Sequence, residues 1–269
     1  MQIAFLTSLH ESSTIKSNKI RKRYMANFAP DVLFQISSFP ITNTLIDTLL
    51  VDAVLIGSAV YFTRHIKDVP NIFDNIVEYV IESFYSLTES IAGKNTRKIF
   101  PWFMSFFLFI VLANWSGLIP GIGSFGFYQT VNKKAELIPF VRSAASDLNT
   151  TLGLAVVSFV ATHVLAVRTV GIKTYLSRYF SLNPINQYVG ILEIISEFTK
   201  VISLSFRLFG NIFAGEVVLT TIGSISNFLA PIPFILLELI VGLVQALVFA
   251  MLTMVGMALL MVPHAEEHS

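Results

Sequence analysis

Cysteine is absent from this 269-residue sequence, and charged residues are scarce. The lack of cysteine excludes disulfides, thiolate metal sites and thiol catalysis. Only 13% of the residues are charged and 54% are hydrophobic, whereas about 25% are charged in ordinary soluble domains. A surface so poor in charge is unsuited to water. The composition therefore predicts a protein whose main solvent is lipid.

The sequence also lacks the features of nucleotide and nucleic-acid chemistry. The net charge of +1 provides no basic face to replace phosphate counterions, so no nucleic-acid partner is expected. Neither a Gly-x-x-x-x-Gly-Lys loop nor a dinucleotide-binding fingerprint is present. The five histidines are scattered rather than clustered. We predict no catalytic residues, no metal site and no cofactor.

Long apolar segments are what the sequence has in abundance. A transmembrane helix needs about 20 predominantly apolar residues, and five segments approach or exceed that length. The first is the least clean, because Asp47 lies near its start and Asp52 lies deeper than we can explain. The predicted fold is an all-α integral membrane protein with about five transmembrane helices, at residues 44–63, 99–119, 148–167, 188–222 and 231–262.

The segment 71–93 is helical in pattern but carries acids at roughly four-residue steps beside an apolar stripe. This pattern suits an amphipathic helix that lies along the membrane surface. A solvated linker helix fits it equally. The acids are Asp74, Glu78, Glu82 and Glu89.

Lysines and arginines in the short loops predict the orientation. Eight lie between spans one and two or between spans three and four, and three lie between spans two and three. This asymmetry places the amino terminus outside and the carboxyl terminus inside. Residues 1–43 are then an N-terminal extracytoplasmic segment, and residues 44–269 form the membrane domain. Basic residues at 16–23 oppose this orientation, but they precede the first span by about 20 residues, the limit at which such charges count. Either Met1 or Met25 fits as the start.

Arg207 lies inside an apolar span, where an arginine costs about 2.5–3.5 kcal/mol on the insertion scale, so it marks an ion pathway. The alternative is an arginine that snorkels to the interface or binds backbone carbonyls. Glu216 is nine residues further on and points the opposite way, so the two should not pair. The face of Arg207 also carries Lys200, Ser203 and Asn211.

The last span carries Glu238 and Gln245, two helical turns apart on one face. Gln245 alone fits a hydrogen bond between packed helices, the commoner role of a membrane glutamine. Glu238 stands in an apolar run, and a buried carboxyl of this kind can take up and release protons.

The last two spans are predicted to form a long antiparallel helical hairpin. Residues at equal depth in such a pair have position numbers with a constant sum. Arg207 with Gln245 gives 452, and Glu216 with Glu238 gives 454. Half of that sum predicts a turn at Ser226–Asn227. The agreement between the two sums has an alternative explanation. Any helical hairpin gives a constant sum, and polar pairs can be selected that match it.

At these residues the sequence resembles subunit a of F-type ATP synthases. The most specific motif is SFRLFGNIFAGE, from Ser205 to Glu216, and weaker ones are RSAASDLN at 142–149 and QALVF at 245–249. The resemblance extends from about Phe39 to the carboxyl end. The histidine sometimes found at one of the two channel positions is absent, since Glu216 and Glu238 are both carboxylates. That pattern resembles bacterial and plastid versions more than the mitochondrial one.

The resemblance implies a non-catalytic, stationary, proton-translocating subunit with two half-channels. They would pass protons to and from the carboxylates of the c-ring and so couple the proton gradient to rotation. Further partners would be subunit b of the peripheral stalk and membrane lipid. The membrane would be the bacterial inner (plasma) membrane, or alternatively an organellar energy-transducing membrane. The implied proton-translocating residues are Arg207, Glu216, Glu238, Gln245, Asn211, Asp147 and Asn149, and those of the exit half-channel are Glu193, Lys200 and Ser203.

Two other classes of protein stay in view. A secondary ion or solute transporter would use a midplane Arg/Glu site, although no internal repeat supports it. A purely structural membrane subunit would leave Arg207, Glu216 and Glu238 as unexplained costs. A proton is favoured over sodium as the ion.

Overall fold

We analysed a computed structural model of the chain, which describes residues 30–36, 39–64, 72–119, 121, 125–131, 134–179, 184–225 and 230–262. Every structural statement below concerns these residues. Most of the predicted N-terminal extracytoplasmic segment, residues 1–43, and the predicted turn at Ser226–Asn227 lie outside them.

The described residues form seven α-helices and two antiparallel β-hairpins. Five helical stretches are long and apolar enough to cross a membrane, which confirms the prediction of an all-α membrane protein with five such helices. Predicted spans and helices coincide to within a few residues, while the domain bounds stay a prediction. The helices are α1 (Asn43–Arg64), α2 (Ile72–Ala92), α3 (Thr96–Ser116), α4 (Leu148–Val170), α5 (Ile172–Tyr179), α6 (Pro184–Ile225) and α7 (Pro231–Leu260).

The sequence analysis did not foresee the two β-hairpins or α5. Strands β1 (Val32–Ile36) and β2 (Phe39–Thr42) pair immediately before α1, and β3 (Gly126–Val131) pairs with β4 (Lys134–Pro139) between α3 and α4. The hairpins precede α1 and α4, whose amino termini lie together, because the Thr44 hydroxyl of α1 donates a 3.2 Å hydrogen bond to Asp147 at the start of α4.

The amphipathic α2 is joined directly to α3. A 3-10 turn, Gly93–Asn95, connects them, and Gly93 has a φ of 51°, in the left-handed region that glycine tolerates. The predicted position of α2 along the membrane surface stays a prediction, because the fold does not define where that surface lies. The two helices together form one apolar stretch, Asp74–Ser116.

Helices α3 and α7 form the centre of the bundle. Buried aromatic and aliphatic side chains of α3 pack against α7, and the Phe106 and Phe249 rings lie 5.7 Å apart. Asn114 Nδ2 donates a 2.8 Å hydrogen bond to the Gly242 carbonyl oxygen and pins the two helices together. Helix α4 packs against α6 and α7, while α1 lies on α3 and α5 lies on α6.

Helix α6 is 42 residues long. At about 1.5 Å per residue it exceeds the hydrocarbon thickness of about 30 Å, so it must incline strongly or extend beyond the bilayer. Its inner face packs on α4, and its outer face exposes large apolar side chains to lipid or a neighbouring subunit: Ile195, Phe198, Ile202 and Phe206.

Candidate functional site

Arg207 lies near the middle of α6 on the outer, exposed side of the bundle. Its Nη2 donates a hydrogen bond of 3.3 Å to Ser203 Oγ, one turn earlier. None of the three ion pairs in the described part of the chain includes Arg207. The opposite face of α6 is anchored instead, since Ser205 Oγ lies 3.3 Å from Thr151 Oγ1 of α4. The guanidinium is therefore presented outward, without an ion pair to a carboxylate of the described residues.

Asn211 and Gln245 are both half-buried. Neither side chain has a hydrogen bond to another described residue, so the interhelical hydrogen bond considered for Gln245 is not found in this part of the chain. Asn211 is one turn beyond Arg207 on the same helix face. Both amides are thus available for other polar groups.

Glu216 pairs with Arg142, not with Arg207. Arg142 Nε lies 3.0 Å from Glu216 Oε1, and Arg142 Nη2 donates a 3.1 Å hydrogen bond to Oε2. The arginine side chain is 10% exposed and the glutamate side chain 35% exposed. Arg142 opens the motif at 142–149, but the sequence alone predicted no role for it. The sequence held one signal for a role of Arg142, because this arginine lies in a loop on the side that has few basic residues.

Glu238 of α7 occupies different surroundings. The residue is buried, and its carboxyl group lies directly against the backbone of Gly215 on α6, where a β-carbon would overlap it. Its Oε1 is buried without a hydrogen-bond partner among the described residues. The neighbouring glutamates 216 and 238 therefore differ, because one has a cationic partner and the other has only packing.

Asp147 caps the amino terminus of α4. Its Oδ1 accepts a 2.9 Å hydrogen bond from the Asn149 backbone N–H, as an N-cap residue does, and its Oδ2 accepts a 3.2 Å bond from the Thr44 hydroxyl. Asp147 is buried, whereas Asn149 is exposed. The structure thus gives Asp147 a capping role and gives Asn149 a freely accessible side chain.

Asp47, which the sequence analysis left without a function, is fully buried in α1. Its Oδ2 accepts hydrogen bonds from the Ser116 hydroxyl at 2.9 Å and from the Ala144 backbone N–H at 2.8 Å. Asp47 thereby joins α1, the end of α3 and the 3-10 turn Ala144–Ser146. A carboxylate that serves three segments in this way is a structural anchor.

The three residues assigned to the exit half-channel all lie on α6, but each has its own partner. Glu193 Oε1 lies 2.9 Å from Arg178 Nε of α5. Lys200 Nζ lies 2.7 Å from Glu197 Oε1, and Ser203 accepts the hydrogen bond from Arg207 described above. Glu197 was not predicted.

A small cavity with a mixed lining lies beside Lys200, between α4, α6 and α7. Its volume is about 20 Å³, which is room for about one water molecule. Ser158 Oγ of α4 and Thr253 Oγ1 of α7 lie 2.8 Å apart in its wall. Polar groups from all three helices line it: Ser158, Thr162, Glu197, Lys200 and Thr253.

A chain of aromatic polar groups adjoins this cavity. The Tyr175 hydroxyl lies 2.7 Å from His163 Nδ1 and donates a 3.3 Å hydrogen bond to the Tyr179 hydroxyl. Burial raises the pKa of the Tyr179 phenol above its ordinary value, and the hydrogen bond from Tyr175 adds to that shift. Tyr179 is therefore a neutral phenol at physiological pH. The sequence analysis missed these residues because their positions become adjacent only when α5 folds back.

Comparison with known proteins reveals one family. The family model described as ATP synthase A chain matches residues 45–257. A Moorella thermoacetica protein named ATP synthase subunit a is 30% identical over 234 residues, covering 87% of this chain and 97% of that protein. A Hahella chejuensis protein named ATP synthase subunit a 1 is 32% identical over 227 residues, covering 84% of this chain and 87% of that protein.

Proposed function

This chain belongs to the ATP synthase A chain family, and from that premise we propose that it is the stationary, non-catalytic, proton-translocating subunit of the membrane sector. Family membership makes it a multi-pass membrane component of an ATP synthase, engaged in proton transport for ATP synthesis. The proposal adds the mechanism: two half-channels meet a ring of small subunits, each with a membrane-embedded carboxyl.

The outward position of Arg207 carries the proposal. An exposed arginine amid a membrane helix costs several kcal/mol unless it finds a counter-charge, and none of the ion pairs in the described part of the chain supplies one. A ring carboxylate that passes the outer face of α6 would be that counter-charge. Because arginine stays ionised when desolvated, it would force the proton off each arriving carboxyl and repel protons that would otherwise leak between the half-channels.

The entry half-channel would lead from outside past Asp147 and Asn149 to Glu216 and Glu238. The contact of Glu238 with Gly215 supports this route, because it brings the two glutamates to one level of the α6–α7 pair. The exposed side chain of Asn149 suits the mouth of such a channel.

The exit half-channel would follow α6 from Ser203 past Lys200 to Glu193. The cavity beside Lys200 supports it, because a water held there would bridge polar groups of three helices. The side-chain amides of Asn211 and Gln245 have no hydrogen bond to described residues. They would bind water in the region around Arg207.

The proposed partners are the c-ring, subunit b of the peripheral stalk and lipid, and the proposed location is the bacterial inner membrane. The apolar outer face of α6 supports the contact with the ring, since helix packing against a membrane neighbour needs such a face. Phosphate chemistry would belong to other subunits of the complex.

Two serines of α6 test the contact with the ring. Ser203 is exposed beside Arg207, whereas Ser205 is fully buried against α4. With one cysteine beside the ring carboxyl, Ser203→Cys should form a disulfide to the ring protein in the intact complex. Ser205→Cys is the matched control and should form none. Equal cross-linking by both variants, or none by Ser203→Cys, would contradict the proposed ring-facing side.

A further inference from the structure

Glu216 and Glu238 lie on adjacent helices at one level, but the surroundings of the two carboxyl groups differ. Two contacts join Glu216 to the Arg142 guanidinium, at 3.0 and 3.1 Å. The Glu238 carboxyl lies against Gly215, and its Oε1 has no hydrogen-bond partner among the described residues. A guanidinium beside both oxygens favours the ionised form of a carboxyl. Here Nη2 donates a hydrogen bond to Oε2, whereas Nε approaches Oε1 as an ion pair without hydrogen-bond geometry.

The segment that carries Arg142 is firmly held. Ser143 Oγ donates a 2.8 Å hydrogen bond to the Ala113 carbonyl oxygen of α3, and the next backbone N–H, of Ala144, donates to Asp47 at 2.8 Å. Ser143 also approaches Gly117 so closely that a β-carbon there would collide with it. The backbone on both sides of Arg142 is therefore held, because the Phe140 N–H also donates a 2.9 Å hydrogen bond to the Phe125 carbonyl oxygen.

We propose that Arg142 is a positioning residue that holds Glu216 as a carboxylate, so that Glu238 alone of the two exchanges protons in the entry half-channel. This inference rests on the proposed function and divides the roles of two residues that the sequence treats alike. Glu238 takes a proton from water on the entry side and gives it to a ring carboxylate. Glu216 keeps its charge throughout, and that charge stays balanced by Arg142.

The pairing also explains how two acids can share one site. Two close carboxylates repel, and without a cation one of them would take up a proton. Among the contacts of the described residues, the charged group that meets Glu216 is Arg142, from the segment before α4, while Arg207 lies on another face of α6. Arg142 therefore supplies a positive charge against Glu216, which reduces the repulsion that Glu216 would exert on an ionised Glu238.

Removing the charges of Arg142 and Glu216, singly and together, tests the inference. ATP-driven proton pumping is measured in membranes that contain the whole complex. Arg142→Gln and Glu216→Gln should each lower the pumping rate about tenfold or more, because each leaves one partner of a partly buried charge pair unpaired. The double variant, which leaves no charge, should recover to within about threefold of the parent rate. Arg142→Lys keeps the charge and should lose less than Arg142→Gln.

The alternative, in which Glu216 itself must exchange protons, predicts the opposite result for the double variant. If Glu216 itself exchanged protons, the double variant would be as slow as Glu216→Gln, and that result would overturn the inference. An unchanged rate in Arg142→Gln would overturn it as well. Where the amide pair fails to assemble, Arg142→Met combined with Glu216→Leu makes the same test with apolar groups.

Two further variants separate this inference from the proposed function. Arg97→Gln, at an exposed position of α3, controls for loss of an arginine charge and should pump like the parent. Glu238→Gln should stay slow when added to the double variant, since no exchanging carboxyl would remain. Parent-like pumping in an Arg207→Ala complex would end the proposed function, whereas failure of the double variant to recover would leave that function intact.

Discussion

The Glu238 carboxyl lies against the Gly215 backbone, in the space that a β-carbon on residue 215 would fill. A β-carbon at this position would therefore have to displace the Glu238 carboxyl, which is the end of a flexible side chain. The position numbers 215 and 238 add to 453, midway between the two sums given by the polar residues of the last two spans. The α6–α7 register inferred from polar residues alone thus agrees with an independent close contact.

Gly215→Ala should displace the Glu238 carboxyl and destabilise the α6–α7 pair by about 1 kcal/mol, the lower end of the cost of overpacking, because the overlapping atoms end a flexible side chain. We expect a lower heat-inactivation midpoint for the detergent-solubilised complex. Gly153→Ala on α4 is the control, because a β-carbon there meets nothing within 4 Å. Adding Glu238→Ala to Gly215→Ala should restore the midpoint by removing the overlapping carboxyl. An unaltered midpoint in Gly215→Ala would show that Glu238 is free to move away.

Replacing Arg207 by Ala should abolish ATP synthesis and ATP-driven pumping while the protein still inserts. Lysine should rescue poorly at best, because it can lose its proton when desolvated and has no planar fork. The measurements are the synthesis rate under an imposed proton gradient and the amount of protein in the membrane. Synthesis near the parent rate in Arg207→Ala membranes would remove the proposed mechanism.

Glu216→Gln and Glu238→Gln should slow proton transport without uncoupling it, since neither residue stands between the two half-channels. Glu238→Gln should be the more damaging, because it removes the exchanging carboxyl. Pumping rate and passive proton leak are measured on the same membranes. A high passive leak in either variant would rule out an assignment to the entry half-channel.

Asp47→Ala should weaken assembly rather than transport chemistry. It leaves the buried Ala144 N–H without its acceptor, at about 1–3 kcal/mol for an unsatisfied buried group. The Ser116 hydroxyl loses one of two acceptors, since it also lies 2.9 Å from the Ala113 carbonyl oxygen. Asp52→Ala is the matched control, since Asp52 is only half-buried and has no hydrogen bond to described residues. Heat inactivation of the solubilised complex measures the difference, and equal midpoints for the two variants would argue against the anchoring role of Asp47.

The sequence was sufficient for features that depend on length, composition and helical period. Apolar segments gave the five long helices, and helical geometry separated Arg207 from Glu216. The motif around Arg207 led to the family that the comparisons support. These inferences need only local information along one helix or between two consecutive helices.

The remaining features arise from contacts between distant segments. Arg142 and Glu216 are 74 positions apart, and Asp47 meets residues 69 and 97 positions away. A single sequence gives no distance between them. The β-hairpins were missed for a different reason, because their short polar and apolar runs lie beside much stronger helical patterns.

The final prediction concerns the register of α6 and α7, and the absence of native cysteine makes the test clean. Ala214→Cys is combined in turn with single cysteine substitutions from Leu236 to Ala246. Oxidative cross-linking should peak near Leu239, which lies at the level of Ala214 if Gly215 lies opposite Glu238. It should be weak at Ala246, about 10 Å further along the axis. A maximum at Ala246 would shift the helices by about two turns. Glu216 and Glu238 would then lie too far apart to share one channel, and the assignment of different roles to them would lose its basis.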